Sequence, residues 1–237
     1  MTSYHGGKQR IGKALAEVIY DVATEVADED DFEIKGYCEP FCGMLGVYQH
    51  IPELFEEHRP KLKYKAGDVN KSVILMWKAA KGGWVPPVKQ YTKKQFDKLK
   101  YDGRSSPVKG FIGHVHTYRS VYLDGYFAQP TKKIKHSSDK VVSIAKEMKT
   151  VSFTSGPYTQ FSKLRGYVIY CDPPYADTDS RYYEGIAYSE RLTFDSNAFW
   201  KWCDGMSEHN IVFVSEYGAP RGVDKVWENG KERLYLV

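Results

Sequence analysis

The tetrapeptide Asp172-Pro173-Pro174-Tyr175 is the strongest chemical signal in the sequence. It follows a hydrophobic run, residues 166–171, that predicts a buried strand, and ligands of open α/β sheets bind outside the carboxyl ends of strands. Two prolines remove two backbone donors and leave carbonyl acceptors beside the Asp172 carboxylate. Such acceptors suit an amino group and Tyr175 suits a flat ring, so a nucleobase with an exocyclic amine, such as adenine or cytosine, fits both. The alternative is a turn that ends the strand, with Asp172 capping a neighbouring helix.

Two further loops follow predicted strands and carry groups that suit a ligand. Gly43, in the loop after the first strand, has no Cβ, so the chain can turn tightly and a ligand can approach the backbone. Asp68 ends the second strand, where a carboxylate accepts hydrogen bonds from ribose hydroxyls in other doubly wound folds. The simpler interpretations are a plain turn at Gly43 and a helix cap at Asp68, although Asn70 could serve as the cap instead.

Histidines and cysteines do not form a recognisable metal site. His114 and His116 stand at alternate positions without a third ligand, so we interpret them as polar surface residues or DNA contacts. Cys38 and Cys42 lie on the first strand and its loop, which favours two buried thiols over a zinc site. We therefore predict no metal.

The apolar pattern predicts the elements that position these loops. Residues 8–27 place apolar side chains on one helical face, and the helix from Asn70 is expected to end at Gly82-Gly83. The other predicted elements are strands over residues 34–41, 62–68, 166–171, 211–217 and 233–237 and a helix over 194–208. This order predicts an α/β protein with a doubly wound sheet.

Basic residues are concentrated in the middle of the chain. Residues 86–165 contain 16 Lys and Arg against 5 Asp and Glu, whereas the rest of the chain contains 18 Lys and Arg against 25 Asp and Glu. This range begins at Pro86-Pro87 and has only short periodic runs, which indicates an inserted module or a set of long functional loops. A basic region in an acidic frame favours nucleic acid as partner over a merely solvated lysine-rich surface.

Composition narrows the class of protein. With 42% hydrophobic and 27% charged residues the chain is an ordinary globular protein, not a disordered or disulfide-scaffold chain. No apolar run approaches 18 residues, so we expect no membrane span, and the first ten residues predict no signal peptide. Four cysteines without a disulfide pattern favour a reduced intracellular location. We therefore expect a cytoplasmic protein, and the nucleic acid favoured by the basic region would be nucleoid or viral DNA.

Four motifs in a fixed order resemble those of the Dam-type DNA adenine-N6 methyltransferases. They are Tyr4-His5-Gly6-Gly7-Lys8, Glu39-Pro40-Phe41-Cys42-Gly43, Gly67-Asp68-Val69-Asn70 and Asp172-Pro173-Pro174-Tyr175. Later segments at Tyr188, 192–195, 214–217 and 232–235 are also similar, so the resemblance spans nearly the whole chain. It implies a doubly wound Rossmann-like methyltransferase sheet formed by residues 1–85 and 166–237, with a basic target-recognition region inserted at 86–165.

The resemblance also implies the cofactor, the partner and the reaction. S-adenosylmethionine would be bound by Tyr4, Gly7, Lys8, Glu39, Pro40, Phe41, Gly43, Asp68 and Asp172. Double-stranded DNA would be contacted by Lys93, Lys94, Arg104, Arg119, Lys132 and Lys133. In the implied reaction the target adenine is flipped out of the duplex, Asp172 and the Pro173 carbonyl accept its amino hydrogens, and Tyr175 stacks on the ring.

Two positions depart from the family pattern, in which the first loop usually reads Phe-x-Gly-x-Gly. Leu45 stands at the second glycine and Gly46 follows one residue later, which leaves the path of this loop open. Glu216 stands where many members have Asn, and we assign it no role.

Other functions remain open on the sequence. A cytosine-N4 methyltransferase is the first alternative, because its target amine poses the same geometric problem. Such enzymes more often carry Ser in place of Asp172. A methyltransferase acting on amino groups of RNA or protein is a second alternative, and the basic middle argues against protein. A basic DNA-binding module without activity is a third, and it would bind no S-adenosylmethionine. A dinucleotide oxidoreductase is disfavoured because no intact Gly-x-Gly-x-x-Gly is present.

Overall fold

The computed structural model describes residues 8–56, 61–117, 121–174 and 194–237. Within these ranges one sheet is formed by β1 Gly36–Glu39, β2 Lys63–Asp68, β3 Ser152–Ser155, β4 Tyr167–Cys171, β5 Ile211–Glu216, β6 Asp224–Asn229 and β7 Glu232–Leu236. The helices are α1 Gly12–Glu29, α2 Ile51–Glu56, α3 Lys71–Lys81, α4 Lys93–Tyr101, α5 Pro107–Val115, α6 Thr131–Glu147 and α7 Ser196–Ser207. Short 3-10 turns occupy Lys8–Arg10, Tyr48–His50 and Tyr158–Phe161.

The strand order of the sheet is β3-β2-β1-β4-β5-β7-β6. The first five of these strands are parallel, and β7 runs antiparallel to both β5 and β6. The order reverses between β1 and β4, so their carboxyl ends flank the crevice where such sheets bind ligands. This is a doubly wound Rossmann-like α/β fold, and the predicted fold class is confirmed.

Side chains of the central strands alternate between two cores, one on each face of the sheet. Val168 and Tyr170 of β4 belong to the larger core, which includes the buried faces of α1, α3, α5 and α6. Tyr167, Ile169 and Cys171 belong to a smaller core with α7. Both faces of the sheet are therefore covered, as in a doubly wound protein.

Local signals account for the ends of α3. The Asn70 side chain accepts hydrogen bonds from the amides of Ser72 (3.1 Å) and Val73 (3.3 Å), as expected of an N-cap. The helix ends at Gly82, as predicted, and Gly83 follows with φ of +92°. This cap leaves Asp68, two residues earlier, available for other contacts.

The first predicted helix is confirmed, with one difference at its start. Lys8–Arg10 form a separate 3-10 turn before α1 begins at Gly12. Leu15 and Ile19 of α1 are fully buried as predicted. The separate turn gives Lys8 an orientation that a continuous helix would not provide.

The region 86–165 contains three helices, α4 to α6, and the strand β3. Both α5 and α6 pack on α3, so this region is an ordered module rather than a set of long loops. β3 pairs with β2 in parallel, so the last part of the range is an edge strand of the main sheet. The division into a catalytic part and a DNA-recognition part stays a prediction.

No helix in the part of the chain that the structure describes is both long and apolar enough to cross a membrane.

Candidate active site

Residues from opposite ends of the chain meet at the carboxyl edge of the sheet. The Lys8 Nζ donates a hydrogen bond to Asp172 Oδ1 at 2.8 Å and lies 3.2 Å from Glu232 Oε2. Asp172 directly follows β4, and Glu232 is the first residue of β7. The structure thus brings together Lys8 of the first motif and Asp172 of the last, which are 164 residues apart.

Lys8 is buried, with 4% of its surface exposed. Burial alone lowers the pKa of Lys8, but the carboxylates of Asp172 and Glu232 outweigh this effect, so the pKa is raised overall. Lys8 is therefore an ammonium held by two carboxylates. Lys8 is thus not a solvated lysine at the start of a helix.

Glu39 ends β1 beside this group and is buried. Burial raises the pKa of Glu39 well above its ordinary value, the hydrogen bond from the Tyr37 hydroxyl (2.8 Å) lowers it, and the Asp172 carboxylate raises it further. The net shift is upward, so Glu39 holds its proton to a higher pH than an exposed glutamate does. In that form it can donate a hydrogen bond as well as accept one.

The loop after β1 follows a well-defined path despite the missing second glycine. Gly43 has φ of +43° and Leu45 has φ of +56°, so a leucine adopts the left-handed conformation that usually favours glycine. The Leu45 side chain is fully buried, which compensates for the strain. Trp77 Nε1 donates to the Gly43 carbonyl at 2.9 Å, and Gln9 Nε2 donates to the Met44 carbonyl at 3.0 Å.

A close approach between this loop and α1 fixes the turn that carries Lys8. A Cβ on Gly12 would lie 2.0 Å from the Gly46 carbonyl oxygen, and a Cβ on Gly46 would lie 3.2 Å from backbone atoms of Lys8. No larger residue fits at Gly12 without moving one of these segments. The displaced glycine of the motif therefore packs against the Lys8 turn.

Asp68 ends β2 and organises the two neighbouring loops. Its Oδ2 accepts from the Gly43 amide at 2.9 Å and its Oδ1 accepts from the Asn70 amide at 2.8 Å. Burial raises the pKa of Asp68, while these two hydrogen bonds lower it, and the net shift is upward. Each carboxylate oxygen has a second lone pair, so the side chain can still accept hydrogen bonds from a ligand.

An aromatic cluster lies next to the motif residues at this edge. The Phe41 ring stacks on Tyr158 with centroids 5.6 Å apart and meets Phe199 edge-on at 5.6 Å. Phe41 is half-buried and Pro40 is buried. The cluster gives the crevice an apolar wall beside its charged groups.

Several predicted site residues lie outside the residues that the structure describes. They are Tyr4, Gly7, Tyr175 and Arg119, together with Tyr188 of the later similarity. Their assigned roles stay predictions.

The predicted DNA-contacting lysines of α4 and α6 lie on the module surface. Lys93 and Lys94 begin α4, Lys132 and Lys133 lie in the first turn of α6, and all four are exposed. The segments before the two helices are joined, because Gln90 Nε2 donates to the Gln129 carbonyl at 3.4 Å. Arg104 is also exposed but follows the opposite end of α4.

The interpretation of His114 and His116 as surface residues is wrong, because both are buried. Burial lowers the pKa of His114 to about 3, so this imidazole is neutral. His114 packs against Tyr122 and His116 against Tyr126, within the module. No group of three or more potential metal ligands occurs among the described residues. All four cysteines are buried free thiols, as favoured for Cys38 and Cys42.

Sequence reasoning missed several residues that build the site. Glu232 lies in a segment that is similar to the family but received no role, and no local signal indicates its contact with Lys8. Trp77 and Gln9 hold loop carbonyls from α3 and from the Lys8 turn. A helix pattern predicts that Trp77 is buried but does not predict what its indole nitrogen contacts.

The sequence matches no protein-family model and no curated protein. Among solved structures, the chain is similar to the rRNA methyltransferase aviRa from Streptomyces viridochromogenes, with a TM-score of 0.34 and 12% identity, covering 92% of this chain and 84% of that chain. The fold and the site described above rest on the strand order and on the contacts of this chain.

Proposed function

We propose that this protein transfers a methyl group from S-adenosylmethionine to N6 of a flipped adenine in duplex DNA. The observation that carries the proposal is the meeting of Lys8 and Asp172 at the carboxyl edge where the sheet order reverses. A carboxylate there is placed to accept hydrogen bonds from an amino group in the crevice.

The described residues fit S-adenosylmethionine. Asp68 at the end of β2 can accept bonds from ribose hydroxyls, and the left-handed turn at Gly43 brings backbone close to the crevice. Lys8 offers an ammonium, and Asp172 offers a carboxylate, for the charged methionine end. When bound, S-adenosylmethionine supplies a methyl carbon that is electrophilic because it is attached to a sulfonium.

The chain's own residues would act mainly by position and charge. Asp172 and the Pro173 carbonyl accept the two amino hydrogens of the adenine, which draws the nitrogen lone pair out of conjugation and towards the methyl carbon. Tyr175 stacks on the flipped base, whose removal from the duplex costs a few kcal/mol. The amino proton leaves to water past the Asp172 carboxylate after the methyl group has been transferred.

Duplex DNA as the partner is supported by the charge distribution of the module. Lysines at the starts of α4 and α6 share one end of it, and the range 86–165 carries 16 basic against 5 acidic residues. The module also reaches the site, since the Lys140 ammonium of α6 donates a hydrogen bond to Gln9 beside Lys8. Phosphate contacts by such residues would position the duplex without reading its sequence.

The deciding experiment supplies S-adenosylmethionine with a labelled methyl group together with unmethylated duplex DNA, and identifies the modified nucleoside. N6-methyladenine is expected. N4-methylcytosine would replace the proposal by the cytosine reaction, and label found only on RNA would replace the partner. The absence of both transfer and S-adenosylmethionine binding would leave a basic DNA-binding module.

A further inference from the structure

We infer that Glu232 is a positioning residue that holds Lys8 together with Asp172 and keeps the acceptor group negatively charged, which selects a neutral amine as the methyl acceptor. The inference rests on the proposed function and deepens it. Glu232 opens β7, so it reaches the site from a strand that carries none of the four motifs.

The contacts place one ammonium between two carboxylates. Lys8 Nζ lies 2.8 Å from Asp172 Oδ1 and 3.2 Å from Glu232 Oε2, and the Lys8 side chain is 3% exposed against 20% and 28% for the two carboxylates. An ammonium at this depth needs partners to offset its lost hydration. Without Glu232 the ammonium would lose one of these two carboxylates, so Asp172 would carry more of the interaction with Lys8 and would be a weaker acceptor for a substrate amine.

The three side chains combine one positive and two negative charges, so their sum is negative. The neighbouring Arg233 does not cancel it, because adjacent strand residues point to opposite faces and Arg233 is paired across the ladder with Glu216. Arg233 Nη1 donates instead to the Tyr217 carbonyl at 2.7 Å. The excess negative charge therefore stays on the Lys8 side of β7.

Two phenols, those of Tyr170 and Tyr217, lie within the electrostatic influence of these carboxylates. Burial is the main cause of the raised pKa of Tyr170 and of Tyr217, and the carboxylates of Asp172 and Glu232 raise both further. Lys8 opposes this effect at Tyr217 without reversing it. Glu216 and Glu39 add to the same effect at these phenols.

A negative acceptor group matches the charge movement of methyl transfer to an amine. As the nitrogen–carbon bond forms, the carbon–sulfur bond breaks and sulfur keeps its electron pair. The positive charge thereby moves from sulfur to nitrogen, and the amine then loses a proton. A net negative group near the nitrogen stabilises this charge, whereas it would repel an anionic nucleophile such as a thiolate.

The test is Glu232→Gln in the full-length protein, with unfolding, single-turnover methyl transfer and calorimetric binding measured together. We expect the transfer rate to fall by about 10-fold or more. Binding of S-adenosylmethionine, a sulfonium cation, should weaken severalfold relative to S-adenosylhomocysteine, a neutral thioether. If Glu232 had a purely structural role, the substitution would leave the ratio of the two binding affinities unchanged.

Two further variants complete the design. Glu232→Asp retains the charge and should recover most of the rate and the binding ratio. Glu228 lies in the same hairpin and pairs with exposed Lys225. Glu228→Gln should therefore change neither the transfer rate nor the binding ratio.

The outcomes separate the two proposals. If folded Glu232→Gln retains both the wild-type rate and the wild-type binding ratio, the inference is overturned while methylation by the wild type still supports the proposed function. If the wild type transfers no methyl group, the proposed function fails, and the binding ratio still tests Glu232. If Glu232→Gln does not fold, Glu232→Asp provides the test. A folded Glu232→Asp protein whose methyl-transfer rate and binding ratio are as low as expected for loss of the charge overturns the inference.

Discussion

Lysines are used in opposite ways at the carboxyl edge of the sheet and on the helical module. Lys8 is 4% exposed and held by two carboxylates from different strands. Lys132 and Lys133 are exposed at the start of α6, and no carboxylate among the described residues pairs with them. The first arrangement fixes one geometry, whereas the second produces a field that depends on the sum of its charges.

This difference predicts how each region responds to substitution. Removing a partner from a buried ion pair leaves a desolvated charge and costs about 3–5 kcal/mol, whereas exposed pairs contribute about 0–1 kcal/mol. Single changes at the sheet edge should therefore have large effects. Changes on the module should be graded and dependent on salt.

The largest effect is expected for Asp172→Ala. Methyl transfer should fall by about 1,000-fold or more, since the variant loses the acceptor for the substrate amine. Stability should fall as well, because the buried Lys8 ammonium loses its shorter carboxylate contact. Labelled methyl transfer and urea unfolding measure the two effects.

A double variant separates the loss of activity from the loss of stability. Asp172→Ala combined with Lys8→Met removes the unbalanced ammonium, so it should recover stability but not activity. If Asp172→Ala retains near-normal turnover, the proposed mechanism is wrong.

The next effect is expected for Asp68→Ala, which should raise the Michaelis constant for S-adenosylmethionine. It also leaves the amides of Gly43 and Asn70 without their acceptor, at a cost of about 1–3 kcal/mol for each one that stays buried. Asp68→Asn keeps one carbonyl oxygen and should be milder in both respects. An Asp68→Ala protein that changes only DNA affinity would contradict the assignment of β2 to the cofactor.

The sequence predicts the parts of the fold that have strong periodicity or caps. β1, β2, β4, β5, α3 and α7 fall in the predicted ranges, and α1 and β7 overlap theirs with shifted ends. β3 and β6 do not, because both are edge strands with mostly exposed or half-buried side chains and therefore lack a buried apolar run. Of the helices of the module, α4 and α5 are short, and α4 and α6 are rich in lysine, which makes their apolar faces hard to recognise in the sequence.

The site is predictable only where chemistry is local to a motif. Asp68 ends a strand of alternating apolar and polar residues, and Asp172 follows an apolar strand, so their positions at the sheet edge can be predicted. The contact between Lys8 and Glu232 joins the two ends of the chain, and only the fold brings them together. The burial of His114 and His116 depends on tyrosines packed around them, whereas their polarity alone suggested a surface position.

A graded effect is expected on the module, where Lys132→Ala combined with Lys133→Ala should weaken all DNA sequences alike. Each neutralised phosphate contributes roughly −0.9 to the slope of log affinity against log salt, so the slope should become shallower by up to about two. The measurement is a salt series on duplexes of two unrelated sequences. A wild type whose affinity does not depend on salt would contradict the DNA-binding surface.

Lys135→Ala is the matched control for that experiment. Lys135 lies on the same helix and is exposed, but its ammonium contacts Asp139 at 2.7 Å. The neighbouring carboxylate already offsets its charge, so the slope should change less than for either Lys132 or Lys133. An equal change for all three would show that total charge, rather than placement, determines binding.

The smallest effect is expected for Glu39→Gln, and its pH dependence distinguishes a buried carboxyl from an exposed one. The pKa of Glu39 is raised mainly by burial, so its contribution to stability is fully present below the unfolded value of 4.5 and is lost as the pH rises through the folded value. Glutamine is neutral at every pH and can still accept from Tyr37. The variant should therefore match the wild type near pH 4 and exceed its Tm at higher pH, by about 2–4 °C for each kcal/mol.

Glu228→Gln should show the opposite pH dependence of stability. Lys225 lowers the pKa of exposed Glu228 through a hydrogen bond and its charge, so any contribution of Glu228 is present above the unfolded pKa and is lost as the pH falls. Its variant should be slightly less stable than the wild type at neutral pH and equal to it in acid. Unfolding of both variants in ligand-free protein between pH 4 and pH 9 tests this contrast. Parallel curves for Glu39→Gln and the wild type over that range would contradict the raised pKa of Glu39, because no proton would then be taken up on folding.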